Sequence, residues 1–333
     1  MRAGHYAHRV STPPLALPAS GFSIAFGLAG LSGVWRLAHQ FLGAPAGIAT
    51  ALTVLTLVVW AVLLGLYVRR IARGHTSVRE EIHHPVTAPF LALIPVTLIV
   101  LVPELSGWAR GPATVVAWAA MLLALALGAW LTGQWVGHGV PETAVSSGYY
   151  LPTVAAGLLS ATALASLGEN DLGLMAFGLG GICWLIVGSI INNRNFVVTS
   201  LPPAMQPTMA IDVAPVVVAG SAWFALNGGR PDAIQLGLAG FAVLMVGVQI
   251  RLISVYRRLT FSASFWAFTF SYCAVISYGL RWLATAQGSW PTVASWALVA
   301  MITLFVGTIA IRSVAALGAG TFLPREPVPA AAP

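Results

Sequence analysis

Residues His84–Leu98 read HPVTAPFLALIPVTL. After His84 the run carries no charge, and it continues through Ile99–Val102 as IVLV, giving an apolar segment over about 87–105. Hydrocarbon offers backbone N–H and C=O groups no water, so a segment of this kind must be helical if it crosses a bilayer. Yet Pro89 and Pro95 interrupt it. A helix-breaking proline is tolerated in a membrane only where neighbours or a water-filled cavity satisfy the freed carbonyls. The stretch therefore reads as a membrane helix that faces protein or a cavity.

The rest of the chain supports the membrane reading. Of 333 residues, 58% are hydrophobic and 8% charged, with mean hydropathy +0.86, whereas soluble domains carry about 25% charged residues. Ten spans can be drawn, at about 17–38, 46–70, 87–105, 113–136, 149–167, 172–192, 207–227, 232–254, 262–284 and 292–316. Short loops within each successive pair favour antiparallel helical hairpins. The expected organisation is a cytoplasmic segment 1–16, a membrane domain 17–316 and a Pro- and Ala-rich tail 317–333, disordered by composition. No small-residue cleavage site follows a short apolar core near the N-terminus, so the first span reads as retained rather than as a signal peptide.

An even number of spans puts both termini on one side. That side collects Arg2, Arg9, Arg69, Arg70, Arg73, Arg79, Arg194, Arg251, Arg257, Arg258, Arg312 and Arg325; the other has Arg36, Arg110, Arg230 and Arg281. The positive-inside rule then makes the termini cytoplasmic. All 16 basic residues are arginine. Their excess at one surface suits anionic lipid and raises the local anion concentration, with no need for nucleic acid.

The odd-numbered spans share a second pattern. Leu17–Gly33 reads LPASGFSIAFGLAGLSG, Tyr149–Thr162 reads YYLPTVAAGLLSAT, and Gln206–Ala222 reads QPTMAIDVAPVVVAGSA. With His84–Leu98 they place Pro18, Pro95, Pro152 and Pro215 at intervals of about one hairpin, amid small and hydroxyl residues. The even spans lack interior proline. Single prolines are common in membrane helices, but their alternation across hairpins argues for special inner helices around a central path and plain outer ones facing lipid.

Among chemical clusters, Arg79–Pro85 (REEIHHP) looks like a metal site, but adjacent helical residues point about 100° apart and cannot converge four ligands. A solvated loop with local ion pairs is the better reading. Asp212 is the one acidic residue well inside a span. It is either a proton-linked residue on the central path or a hydrated side chain near the cytoplasmic end. Cys183 and Cys273 lie in apolar segments and suggest no disulfide. There is no phosphate-binding loop, dinucleotide fingerprint or nucleophile–base–carboxylate set. The chain is expected to be neither an enzyme nor an ATP-driven pump, and nothing implies a cofactor.

Five pieces in order, PASGFSIAFGLAGLS, HHPVTAPFLALIPVTL, YYLPTVAAGLLSATALASLGENDLG, TMAIDVAPVV and WAFTFSYCA, resemble the tellurite-resistance/dicarboxylate transporter family. That family includes the bacterial TehA proteins and the slow-type anion channels of plant guard cells. The resemblance covers roughly residues 14–316. It implies five hairpins whose odd helices form a central pore in each protomer of a homotrimer, and transport of small anions across the bacterial inner membrane. It also implies that a phenylalanine of the ninth helix plugs the pore; the WAFTF pattern places it at Phe270. Helical geometry puts Ala263, Trp266, Ala267, Phe270, Cys273, Ala274 and Ser277 on one face, with Phe265, Phe268, Tyr272 and Val275 elsewhere. By packing habit alone Phe270 would fill a helix interface; the motif makes it the gate, braced by Trp266 one turn earlier. Pro18, Gly21, Phe22, Pro95, Pro152, Asp212, Pro215 and Ala274 are candidates for lining or shaping the path. Two departures from the family pattern are Asp212, where an uncharged residue is expected, and Gly157, where a polar asparagine is. The leading expectation is a passive anion channel. The alternative is a proton-coupled exporter of dicarboxylate, sulfite or tellurite.

Overall fold

A computed structural model describes residues 18–322 except His75 and Thr199; segment 1–16 and the chain beyond Phe322 lie outside the described residues. The described residues form helices and no strand. The α-helices are α1 (Ser23–Leu42), α2 (Ala46–Ala72), α3 (Val78–His83), α4 (Leu93–Trp108), α5 (Arg110–His138), α6 (Ala156–Ser166), α7 (Asn170–Val197), α8 (Ala214–Leu226), α9 (Ala233–Tyr256), α10 (Trp266–Leu283) and α11 (Trp290–Gly318). Nine helical runs among the described residues are long and apolar enough to cross a membrane. A further run, Ser147–Ser166, passes from a 3-10 turn (Ser147–Tyr150) through a π turn (Leu151–Ala155) into α6.

Burial sorts the spanning helices into two sets. The runs containing α1, α4, α8 and α10 are 72%, 61%, 61% and 56% buried, whereas α2, α5, α7, α9 and α11 are only 11–28% buried. A helix so apolar and so exposed is stable only against lipid or another protein surface. The buried helices, together with α6, pack each on the next in the order α1, α4, α6, α8, α10, and α10 returns to α1 to close a ring. Each exposed helix packs on the ring helix before it, and α11 also reaches α1.

All five ring helices share a local feature: none starts as α-helix. The 3-10 turns Ala19–Phe22, Ala88–Ala92, Gln206–Val213 and Ala263–Phe265 precede α1, α4, α8 and α10, as the mixed run precedes α6. Proline explains much of this. Pro89, Pro152 and Pro207 stand at the first or second position of their turns, and Pro215 at the start of α8, each lacking an N–H to extend an α ladder backwards. Backbone carbonyls near these breaks also receive side-chain donors from the outer helices. Gln249 Nε2 of α9 donates to the Met209 carbonyl (3.1 Å) and Trp60 Nε1 of α2 to the Ile94 carbonyl (2.9 Å). Further along, Gln235 Nε2 of α9 donates to the Gly220 carbonyl (2.7 Å).

The Arg79–Pro85 segment departs from the expected loop. It forms α3, started by a capping box in which Ser77 and Glu80 satisfy each other's backbone N–H groups. Its local ion pair is real: Glu81 is buried, pairs with Arg70 at 3.1 Å and accepts from the Tyr67 hydroxyl at 2.6 Å. At the other terminus α11 runs to Gly318, and Phe322 beyond it is buried.

Candidate functional site

The ring closes most tightly between α1 and α10, and glycine makes the approach possible. A Cβ at Gly27 would stand 1.9 Å from Thr269 Oγ1, and one at Gly30 would stand 3.0 Å from Cys273 Cβ and 3.1 Å from the Phe270 ring. With no side chain between them, the helices bring Phe26 and Phe270 face to face, ring centroids 3.7 Å apart and planes 19° off parallel. Both rings are buried, at 5% and 8% exposure.

Two cavities lie on either side of this pair inside the ring. The first, about 50 Å³, is apolar and sits toward the irregular starts of the ring helices. Phe26, Leu93, Leu158, Pro215 and Phe270 supply one wall residue from each ring helix. The second, about 80 Å³, sits toward their C-terminal ends; its walls are mostly apolar but carry two arginines and three hydroxyls, with Arg36, Pro103, Thr162, Ser221 and Arg281 representing the same five helices. Only Val218 and Phe270 line both cavities. Phe270 therefore stands at the partition, with Phe26 against it.

The other expected residues fall in two groups. Trp266 and Pro215 line the first cavity and Ala274 the second. Trp266 is fixed from behind, its Nε1 donating to Ser313 Oγ of α11 at 2.9 Å. The remainder sit outside both linings. Phe22 is buried edge-on against Tyr67 of α2, as the last residue of the 3-10 turn that Pro18 caps and Gly21 shares. Pro95 lies in the buried first turn of α4. Gly157 faces α7, where a Cβ would come within 2.7 Å of the Gly180 backbone, and Pro152 presses its carbonyl against Gly128 of α5. Both thus serve helix crossings at the lipid-side groove between α5 and α7. Asp212 points to α7: Oδ2 accepts from Asn195 Nδ2 at 3.4 Å, and Oδ1 is buried without a partner.

On α10 the wall face runs Ala267, Phe270, Ala274, Ser277 and Arg281, while Cys273 packs on Gly30 of α1. Phe265, Phe268 and Tyr272 form an aromatic row on the opposite side, with successive centroids 5.5 and 5.8 Å apart, in a groove between α9 and α11. Sequence reasoning missed Phe26, Val218, Arg36 and Arg281. Phe26 sits one turn before Gly30 on the small-residue face of α1, and both arginines fall at the same end of ring helices. That shared depth is the signal that was there to find.

A chain with apolar exposed outer helices and a closed ring of buried helices around two adjoining cavities is a multi-pass helical membrane protein. It belongs to the voltage-dependent anion channel family, SLAC1, which matches residues 16–314. It is 31% identical over 260 residues to a tellurite resistance protein TehA homolog of Haemophilus influenzae, covering 78% of this chain and 79% of that one. It is 22% identical over 317 residues to the S-type anion channel SLAH3 of Arabidopsis thaliana, spanning 90% of this chain and about half (48%) of the plant protein.

Proposed function

We propose that the protein is an anion channel that conducts small anions along the axis of its ring, with Phe270 as the gate. The reading takes Ser147–Ser166 as a tenth span, pairs consecutive helices as five hairpins, and places both termini in the cytoplasm of a bacterial inner membrane. The exposed outer helices leave apolar surface for lipid and for a homotrimeric assembly with one path per protomer. The single observation that carries it is that Phe270 lies at the partition between two cavities, each walled by all five ring helices.

An apolar constriction blocks an ion by the cost of stripping its water, with no charge required. A ring stacked at 3.7 Å leaves no room for that water. An aromatic pair contributes about 0.5–1.5 kcal/mol beyond its burial, which adds to the cost of moving Phe270 out of the way. The test is electrophysiology on proteoliposomes. Phe270→Ala should give large, ohmic anion currents where the wild type is nearly closed. Silence from the variant, in protein that elutes as the wild type does, would remove the reading.

A second reading is favoured by one observation, the unpartnered carboxylate oxygen of Asp212 within a span. Here the protein is a proton-coupled carrier of dicarboxylate, sulfite or tellurite. Saturable, proton-dependent flux without current in Phe270→Ala would select it.

A further inference from the structure

The second cavity holds a feature that the gating scheme does not use. Arg36 of α1 and Arg281 of α10 both line it, close beyond the Phe26–Phe270 pair in sequence and in space. Neither makes an ion pair within 4 Å or donates a hydrogen bond among the described residues, and Arg281 Nε is buried without a partner. Thr162, Ser221 and Ser277 bring hydroxyls to the same walls, and Ser221 Oγ is likewise buried and unpartnered. The one carboxylate whose charge reaches Arg36 is Glu104, and it accepts instead from Thr50 at 3.4 Å.

Charged groups inside a membrane protein face its interior, and they pair or mark an ion's place. Buried donors left without acceptors are costly. Two guanidiniums and three hydroxyls around one space form a donor-rich cradle, open to an ion with several acceptor oxygens. A guanidinium meets such an ion through two parallel N–H···O bonds, which a spherical halide cannot accept in the same way.

We propose that this cavity is a binding site for a small oxyanion, held by Arg36 and Arg281 with Ser221 as a hydroxyl donor, directly beyond the gate. Its role as a waiting station for passage rests on the channel reading; the binding itself rests on the cavity alone. An ion parked there stands between positive charge and the apolar gate, so the site sets which anion is concentrated at the constriction.

Two measurements separate the site from the channel reading. In the first, the melting temperature of the full-length protein in detergent is followed as nitrate or sulfite replaces gluconate at constant ionic strength. The wild type should rise with oxyanion concentration; Arg36→Gln and Arg281→Gln should lose the rise, with apparent affinity down by about tenfold or more, and Arg281→Lys should keep part of it. A rise of equal size in both Gln variants, or none in the wild type, overturns the proposal. In the second, the same substitutions are placed in Phe270→Ala and the nitrate-to-chloride permeability ratio is read. A lowered ratio supports the site, and an unchanged ratio overturns its role in passage. Oxyanion stabilisation without current in Phe270→Ala keeps the binding site and removes the channel reading instead.

Discussion

Phe26 and Phe270 divide one task between two helices. Phe270 carries the partition, and Phe26 gives its ring a flat surface to rest on. That Phe270 stands apart from the other rings of α10 was suggested only by the WAFTF resemblance, because an aromatic in an apolar helix packs in most proteins. Phe26 was hinted at only by its place one turn before Gly30: which of Phe22 and Phe26 turns inward depends on the close approach of Gly27 and Gly30 to α10, a tertiary fact. Arg36 and Arg281 were visible as charges and counted for topology, and only the closed ring brings them to one wall. Asp212 was legible as an oddity; its side chain accepts from Asn195 of α7 and lines neither cavity. The groups around it are Asn195 of α7, Ser147, Tyr150 and Tyr256, with no cation in reach among the described residues. If a proton on this carboxylate governs transport, Asp212→Asn abolishes the pH dependence of anion flux while flux persists. A variant with the wild-type pH profile shows that Asp212 is structural.

At the scale of elements, hydropathy located every ring and outer helix within a few residues, because lipid selects for apolar length and little else. The changes of helix type were beyond it, since a 3-10 or π turn persists where neighbouring helices satisfy its carbonyls. Helix contacts give two predictions. Gly27→Ala places a methyl inside van der Waals distance of Thr269, and overpacking of this kind costs about 1–3 kcal/mol. The variant should melt lower and leak anions, because the same two helices carry the stacked rings. The second concerns the loop joining α8 to α9. Asp232 caps α9, accepting from the Gln235 N–H at 2.9 Å, Trp223 Nε1 at 2.8 Å and Asn227 Nδ2 at 3.2 Å. These donors, the Gln235 N–H foremost, hold its carboxyl below the usual carboxylate range. A depressed pKa means stability present above the unfolded value, near 3.9, and lost as pH falls through the folded one. Asp232→Asn should therefore melt lower than wild type at pH 7, with the gap closing on acidification below about pH 4.

Among the described residues one succession recurs five times: an irregular start, a ring helix and then an exposed helix. Its arginines fall unevenly on the two faces, and by the positive-inside rule this predicts that the irregular starts face the cytoplasm. Labelling of single cysteines in intact cells and inverted vesicles checks this. Ala72→Cys, at the exposed end of α2, should react only from the cytoplasmic side, and Gly107→Cys, at the exposed end of α4, only from the outside. The reverse pattern would invert the molecule and move the arginine cavity to the cytoplasmic mouth.

The closure between α1 and α10 also has a consequence in time. The ring's tightest joint is between its first helix and its last, and the stacked phenylalanines straddle that joint. While the chain is being inserted, α1 leaves the ribosome with Gly27 and Gly30 uncovered and has no partner for that face until nearly the whole protein has followed. The nascent protein is thus an open arc, and the Phe26–Phe270 stack comes into being in the same step that completes the circle.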